Sequence, residues 1–151
     1  MKNILFVCTG NTCRSYMAEA IMAEEIEKAE LPFKVDSAGT FAADGAPASK
    51  NAELALENLG YEPERHRSKP LSKKLIDWAD IIFAMEATHV EIVCAMFPEA
   101  AEKTHTLLGY TAGIGGFPGE GYDISDPYGG DEEEYMQCAL QLREAIRALL
   151  D

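Results

Sequence analysis

The sequence predicts an α/β fold: one doubly wound domain over residues 1–151, built on a four-stranded parallel sheet with the strand order 2-1-3-4. Short apolar runs alternate with amphipathic segments along the chain, which predicts right-handed crossovers and helices on both faces of the sheet. The 151 residues are 47% hydrophobic, enough for one sizeable core, and no repeat or linker divides them. We therefore expect a single domain.

Four stretches have the length and apolar character of strands in a buried sheet. Residues 4–7 form a continuous apolar run and predict the first strand, and residues 33–37 alternate apolar and polar side chains as the second. Residues 81–85 are another continuous apolar run, and residues 104–108 predict the fourth strand. Continuous apolar runs are typical of parallel strands, because helices cover both of their faces.

Five segments carry apolar residues at helical spacing. In chain order they are 15–30, 49–59, 72–78, a segment with Val90, Val93, Cys94 and Phe97 on one face, and 131–151. Ser15, Ser72 and Asp131 are expected as N-caps. Gly60 suits the left-handed residue that closes the second helix, and Pro98 should stop the fourth.

Residues 109–125 interrupt this alternation. The segment contains six glycines among Tyr110, Phe117 and Tyr122, and we predict a long loop without an element of its own. Long loops of this kind are commonly functional or mobile.

The composition excludes several classes of function. Twenty-six acidic against thirteen basic residues give a net charge of −13, which disfavours nucleic acid and anionic lipid as partners. Acidic runs such as Glu24-Glu25 and residues 131–134 predict solvated helix faces, with attraction of basic proteins as the alternative. With no apolar run long enough for a membrane span or a secretory leader, we expect a cytoplasmic protein, and a monomer.

Four cysteines without a CxxC pair predict reduced thiols, and three scattered histidines form no metal-ligand pattern. We therefore expect no metal and no other cofactor.

The stretch from Cys8 to Ser15, with the sequence CTGNTCRS, carries the strongest chemical signal. It joins the first strand to the first helix, and ligands of doubly wound sheets bind at the carboxyl ends of strands where the winding reverses. The unpaired N–H groups and the dipole of a helix start favour a bound anion. The stretch therefore predicts an oxyanion site beside a cysteine.

Cys8 is predicted to be a nucleophile that attacks a phosphoryl group. The helix start and Arg14 favour the thiolate, and Ser15 can donate its hydroxyl to the sulfur. Gly10 and Asn11 tolerate the positive φ that a tight loop needs. The predicted phosphate-binding residues beside Arg14 are Thr9, Gly10, Asn11, Thr12 and Cys13. The alternative is a buried packing cysteine with a surface arginine.

Asp126 is the candidate general acid, because it lies at the exit of the glycine-rich segment and Pro127 stiffens its backbone. The alternative is an ordinary Asp-Pro turn. Cys13 could form a reversible disulfide with Cys8 or could simply be a small packing residue.

These motifs resemble the low-molecular-weight protein tyrosine phosphatase family. The resemblance rests on CTGNTCRS, on Asp36-Ser37-Ala38-Gly39-Thr40 and on Asp126-Pro127-Tyr128-Gly129, which span nearly the whole chain in the family's order. It implies Cys8 as nucleophile, Arg14 as phosphate clamp and Asp126 as general acid and base. It also implies that a hydrogen-bond network holds the loop, formed by Asn11, Ser15, Ser37 and His66.

Thr12 is the informative position within this family. Phosphotyrosine-directed members usually carry a bulky aliphatic residue there, whereas the loop CTGNTCRS, with threonine at this position, resembles that of the bacterial protein-arginine phosphatases. A hydroxyl narrows the pocket and can bond a guanidinium, which Asp126 can pair with, although Thr12 could also merely fill space. Phe41 and Tyr128 would be aromatic walls. The resemblance thus implies a phosphatase that hydrolyses protein phosphoarginine through a phosphocysteine, with phosphotyrosine as the alternative.

Two other activities fit less well. Arsenate reductases share the fold and a similar loop but need a further cysteine pair, and only Cys94 lies in the middle of this chain. A phosphocysteine carrier would leave Asp126 and Ser15 without a role.

Overall fold

The computed structural model describes residues 2–114 and 121–151, and within them one four-stranded sheet whose strands are all parallel. The strands are β1 (Lys2–Cys8), β2 (Phe33–Gly39), β3 (Ile81–Ala84) and β4 (Thr104–Thr106). Their spatial order is β2-β1-β3-β4, which confirms the predicted order.

The register of β1 places Cys8 where the winding of the sheet reverses. Cys8 is paired with Gly39 of β2, and Val7 is paired with Ala84 of β3. The carboxyl ends of three neighbouring strands therefore meet around Cys8, in the position where doubly wound sheets bind their ligands.

Six α-helices accompany the strands in the described part of the chain. They are α1 (Arg14–Lys28), α2 (Lys50–Asn58), α3 (Lys73–Trp78), α4 (Ala87–Met96), α5 (Leu107–Thr111) and α6 (Glu132–Leu150). Ser72 accepts a hydrogen bond from Leu75 N and Asp131 from Glu134 N, so both are N-caps as predicted. Gly60 has the expected positive φ, at 88°.

Helices cover both faces of the sheet, as predicted. Ile4 and Phe6 of β1 belong to a core that includes α1, α2 and α6, whereas Leu5 and Val7 belong to a second core with α3 and α4. Leu5 and Phe6 are completely buried on opposite faces, and full burial of such a side chain contributes about 1.5–3 kcal/mol. Packing against both cores therefore fixes the position of β1, the strand that ends at Cys8.

Three sequence predictions about the elements are wrong. Helix α1 starts at Arg14 rather than after Ser15, and its N-cap residue Cys13 has no side-chain cap bond. The predicted strand 104–108 ends at Thr106, because the Thr106 hydroxyl accepts from Gly109 N and caps α5. Helix α5 in turn takes up the start of the predicted loop 109–125, of which residues 115–120 lie outside the described part.

Some smaller features also differ from the prediction. Pro98 stops α4 but then begins a 3-10 helix, Pro98–Lys103. Glu25, in an acidic run predicted to be solvated, accepts hydrogen bonds from Tyr61 Oη and Arg147 Nη2. No helix in residues 2–114 or 121–151 has the length and apolarity to cross a membrane.

Candidate active site

The chain turns sharply after Cys8 and returns as a loop that sits on the start of α1. Asn11 adopts a left-handed conformation with φ 59°, whereas Gly10, for which the same conformation was expected, does not. Asparagine tolerates this conformation better than most residues that have a Cβ. Asn11 is also completely buried, so its side chain can act as the internal support of the loop.

A chain of hydrogen bonds runs from the sulfur of Cys8 into the protein. Cys8 Sγ lies 2.9 Å from Ser15 Oγ, and Asn11 Nδ2 donates to Ser15 Oγ at 2.9 Å. A thiolate at Cys8 can only accept, so Ser15 Oγ then donates its hydrogen to the sulfur and stabilises the negative charge. Asn11 Nδ2 also donates to Ser37 Oγ, which donates to the Glu19 carboxylate. Burial raises the pKa of Glu19, and the Ser37 bond partly opposes this shift.

Two further contacts hold the backbone and side chain of Asn11. His66 Nε2 lies 2.6 Å from Asn11 O, and Lys69 N donates to Asn11 Oδ1 at 3.0 Å. A carbonyl can only accept, so the His66 proton is on Nε2. Burial lowers the pKa of His66, while the bond to Asn11 O partly raises it. Tyr16 packs on the His66 ring, with 4.6 Å between the ring centroids.

The end of β2 supports the loop from the other side. Thr40 N donates to Cys8 O at 2.9 Å and Phe41 N donates to Thr9 O at 3.0 Å. Gly39 leaves no room for a side chain: a Cβ there would lie 2.7 Å from Ala42 Cβ and closer still to Thr9 O. The absence of a side chain at Gly39 is therefore what allows the loop to approach the strand.

Arg14 is held from the side of β3. It is only 2% exposed, and its Nη1 donates to Glu86 Oε2 at 2.6 Å and to Ile124 O at 2.8 Å. Ile124 N donates to Met85 O at 2.9 Å, which ties the end of the glycine-rich segment to the residue that follows β3. The guanidinium is thus fixed before any ligand binds.

The same tie brings Asp126 to the loop. Asp126 Oδ2 lies 3.6 Å from Arg14 Nη2, and Asp126 Oδ1 accepts from Tyr128 N at 3.0 Å. The second contact is the ordinary turn that Asp-Pro predicts, so the turn and the approach to the loop occur together. The Asp126 side chain is 48% exposed and can exchange protons with water.

These groups surround one cavity of 220 Å³. Its lining residues are Cys8, Thr9, Gly10, Thr12, Cys13, Arg14, Asp126 and Tyr128. Phe41, predicted as an aromatic wall, does not line the cavity, and its side chain is 88% exposed. Asn11, Ser15, Ser37 and His66 lie behind the loop, as supports rather than as lining groups.

Two residues of the site were missed from the sequence, Glu86 and His89. Glu86 Oε2 is the partner of Arg14, and His89 Nε2 lies 2.9 Å from Thr9 Oγ1. Both follow β3, and the predicted strand order places the end of β3 beside the end of β1. That order was the available signal, because polar side chains just after a central strand meet those after its neighbour.

The four cysteines are free thiols, and Cys8 and Cys13 are buried. Cys13 Sγ lies 3.4 Å from Tyr135 Oη, and burial together with this contact raises the pKa of Tyr135 to about 12. Within the described residues, no group of three or more histidine, cysteine or acidic side chains could hold a metal ion.

Known proteins resemble this chain over nearly its whole length. Residues 3–151 match the family model described as low molecular weight phosphotyrosine protein phosphatase. A protein-arginine-phosphatase of Geobacillus stearothermophilus is 44% identical over 149 residues, which are 98% of this chain and 90% of that protein. A low molecular weight protein-tyrosine-phosphatase of Streptomyces coelicolor is 32% identical over 97% of this chain and 90% of that protein.

Solved structures agree with these sequence similarities. The YwlE arginine phosphatase from Geobacillus stearothermophilus has a TM-score of 0.87 at 43% identity, covering 99% of this chain and 90% of that chain. A YwlE mutant in which serine replaces cysteine, with a phosphorylated active site serine, has a TM-score of 0.89 at 37% identity. The match to that mutant covers 97% of this chain and 92% of that chain.

Proposed function

This chain belongs to the low molecular weight phosphotyrosine protein phosphatase family, and on that premise we propose that it hydrolyses phosphoarginine in proteins through a phosphocysteine. The observation that carries the proposal is the single cavity in which Cys8, Arg14, Asp126 and Thr12 meet. Each of these side chains has a role in the reaction, and the loop supports keep them in place.

In the first step, the Cys8 thiolate attacks phosphorus, an S–P bond forms and the bond from phosphorus to the leaving nitrogen breaks. Arg14 and the loop N–H groups bind the phosphoryl oxygens and so stabilise the negative charge that these oxygens carry in the transition state. Asp126, protonated at this stage, gives its proton to the leaving nitrogen. Ser15 lowers the cost of the thiolate through its bond to the sulfur.

In the second step, water attacks phosphorus and the S–P bond breaks. Asp126, now a carboxylate, takes a proton from that water, so inorganic phosphate leaves and the thiolate returns. The phosphorylated active site serine of the structurally similar YwlE mutant supports a phosphoenzyme on this loop.

Thr12 favours phosphoarginine as the substrate. It lines the cavity together with Cys8 and Asp126, and its backbone carbonyl accepts from Ser49 N at 3.0 Å, which fixes the residue. A hydroxyl can accept a hydrogen bond from a guanidinium, and the Asp126 carboxyl group lines the same cavity, where it can bond to that group and then protonate its leaving nitrogen. The protein-arginine-phosphatase at 44% identity supports the same substrate, while the tyrosine phosphatase at 32% keeps phosphotyrosine as the alternative. We further propose that the protein acts as a cytoplasmic monomer on phosphorylated proteins.

The substrate is tested by measuring kcat/KM on phosphoarginine and phosphotyrosine peptides of the same sequence. We expect wild type to favour phosphoarginine at least about tenfold, and Thr12→Ile to lower that preference by roughly tenfold, because an aliphatic group cannot bond the guanidinium. Thr111→Ile, outside the cavity, is the matched control. A wild-type preference for phosphotyrosine would reject the arginine assignment and keep the family chemistry.

A further inference from the structure

His89 occupies a place that neither the expected mechanism nor the predicted loop network uses. It lies in the first turn of α4 and is 3% exposed, and its Nε2 is 2.9 Å from Thr9 Oγ1. Thr9 follows Cys8 and lines the cavity. The backbone of Thr9 is already fixed, because Phe41 N donates to its carbonyl, so His89 acts on the side chain alone.

The other ring nitrogen of His89 is unusual. Nδ1 is buried and has no hydrogen-bond partner among residues 2–114 and 121–151. A neutral imidazole carries one proton, and an unpaired buried donor is rarer than an unpaired buried acceptor. Glu86 Oε2, 4.0 Å from Nε2, also favours a proton on Nε2. Nδ1 is therefore the unprotonated nitrogen.

Burial and the neighbouring Arg14 guanidinium keep the ring of His89 neutral. Burial lowers the pKa of His89 and the Arg14 guanidinium lowers it further, while the carboxylates of Glu86, Asp123 and Asp126 act in the opposite direction. A neutral ring with its proton on Nε2 donates one hydrogen bond, and Thr9 Oγ1 is its acceptor.

We propose that His89 is a positioning residue that donates from Nε2 to Thr9 Oγ1 and so directs the Thr9 hydroxyl hydrogen at a phosphoryl oxygen in the cavity. The hydroxyl hydrogen of Thr9 cannot point at His89 Nε2, because the proton of Nε2 already lies between the two atoms. Thr9 thus becomes an oriented donor to the phosphoryl group. This proposal rests on the proposed phosphatase chemistry and adds a donor to it.

The decisive comparison uses two amide variants of His89 that differ in reach. The glutamine side-chain nitrogen extends about as far as Nε2, whereas the asparagine nitrogen extends only as far as Nδ1. We expect His89→Asn to lower kcat on para-nitrophenyl phosphate by about tenfold with little change in KM, and His89→Gln to stay within about threefold of wild type. Thr9→Val should lower kcat by about as much as His89→Asn. The double variant that combines these two substitutions should lower kcat no further than either one alone.

Equal losses in both amide variants, or additive losses in the double variant, would overturn the proposal. The wild-type protein offers a test that needs no variant: nitrogen-15 NMR should show the His89 proton on Nε2, and a proton on Nδ1 instead would overturn the assignment. Para-nitrophenyl phosphate makes this test independent of the protein substrate. If the protein hydrolyses para-nitrophenyl phosphate but neither phosphopeptide, the proposed function is rejected and the role of His89 is still decided by the variants.

Discussion

Replacing Gly39 with alanine should disable the site while leaving the fold intact. The new Cβ would lie 2.7 Å from Ala42 Cβ, and closer still to Thr9 O. Ordinary contact between carbon atoms is about 3.5–4.0 Å, so the two chain segments must separate by roughly 1 Å. The overcrowding should lower the free energy of unfolding by about 1–3 kcal/mol.

The effect on catalysis should be larger than the effect on stability. The separation moves Thr9 O and the loop N–H groups, and a misplacement of about 1 Å can cost roughly 100-fold in rate. We therefore expect Gly39→Ala to reduce kcat/KM on para-nitrophenyl phosphate by about 100-fold. Steady-state kinetics and urea unfolding on the same preparations measure the two effects.

Gly60→Ala is the matched control. Gly60 has a φ of 88° and nothing within 4 Å of a built Cβ, so alanine there strains the backbone by about 1–2 kcal/mol without touching the loop. It should lose stability and keep its activity. Full activity in Gly39→Ala, or an equal loss in Gly60→Ala, would refute the role of the Gly39 contact.

Three further predictions concern the nucleophile, the arginine and pH. Cys8→Ser should abolish turnover and still bind inorganic phosphate by calorimetry; retained turnover would exclude a phosphocysteine. Glu86→Gln should lower the free energy of unfolding by about 1–2 kcal/mol, with phosphate restoring part of it, because buried Arg14 loses the nearer of its two counter-charges; exposed Glu91→Gln is the control. Burial lowers the pKa of His66, so below about pH 6.5 the unfolded chain binds more protons than the folded chain, and the free energy of unfolding decreases as the pH falls. His66→Gln should make the urea midpoint depend less on pH between about pH 7 and 5.

The sheet could be predicted because its signal is local and repeated. Continuous apolar runs as short as residues 4–7 are typical of a strand covered on both faces, and the alternation with helices leaves few strand orders. The errors fall where one side chain decides the outcome. Thr106 ends β4 because its hydroxyl caps α5, and Ser15 is not a cap because its hydroxyl bonds Cys8 instead.

The site divides along the same line. Cys8, Arg14 and Ser15 could be predicted because they lie within a stretch of eight residues, so spacing alone implies proximity. Glu86 and His89 meet the loop only through the pairing of β1 with β3, across more than seventy residues of sequence. The loop alone accounts for the nucleophile, but the orientation of Arg14 depends on contacts from β3. The specificity of such a loop should therefore be changed more readily from Thr12 than from Glu86, because Thr12 lines the cavity whereas Glu86 acts through Arg14 and His89.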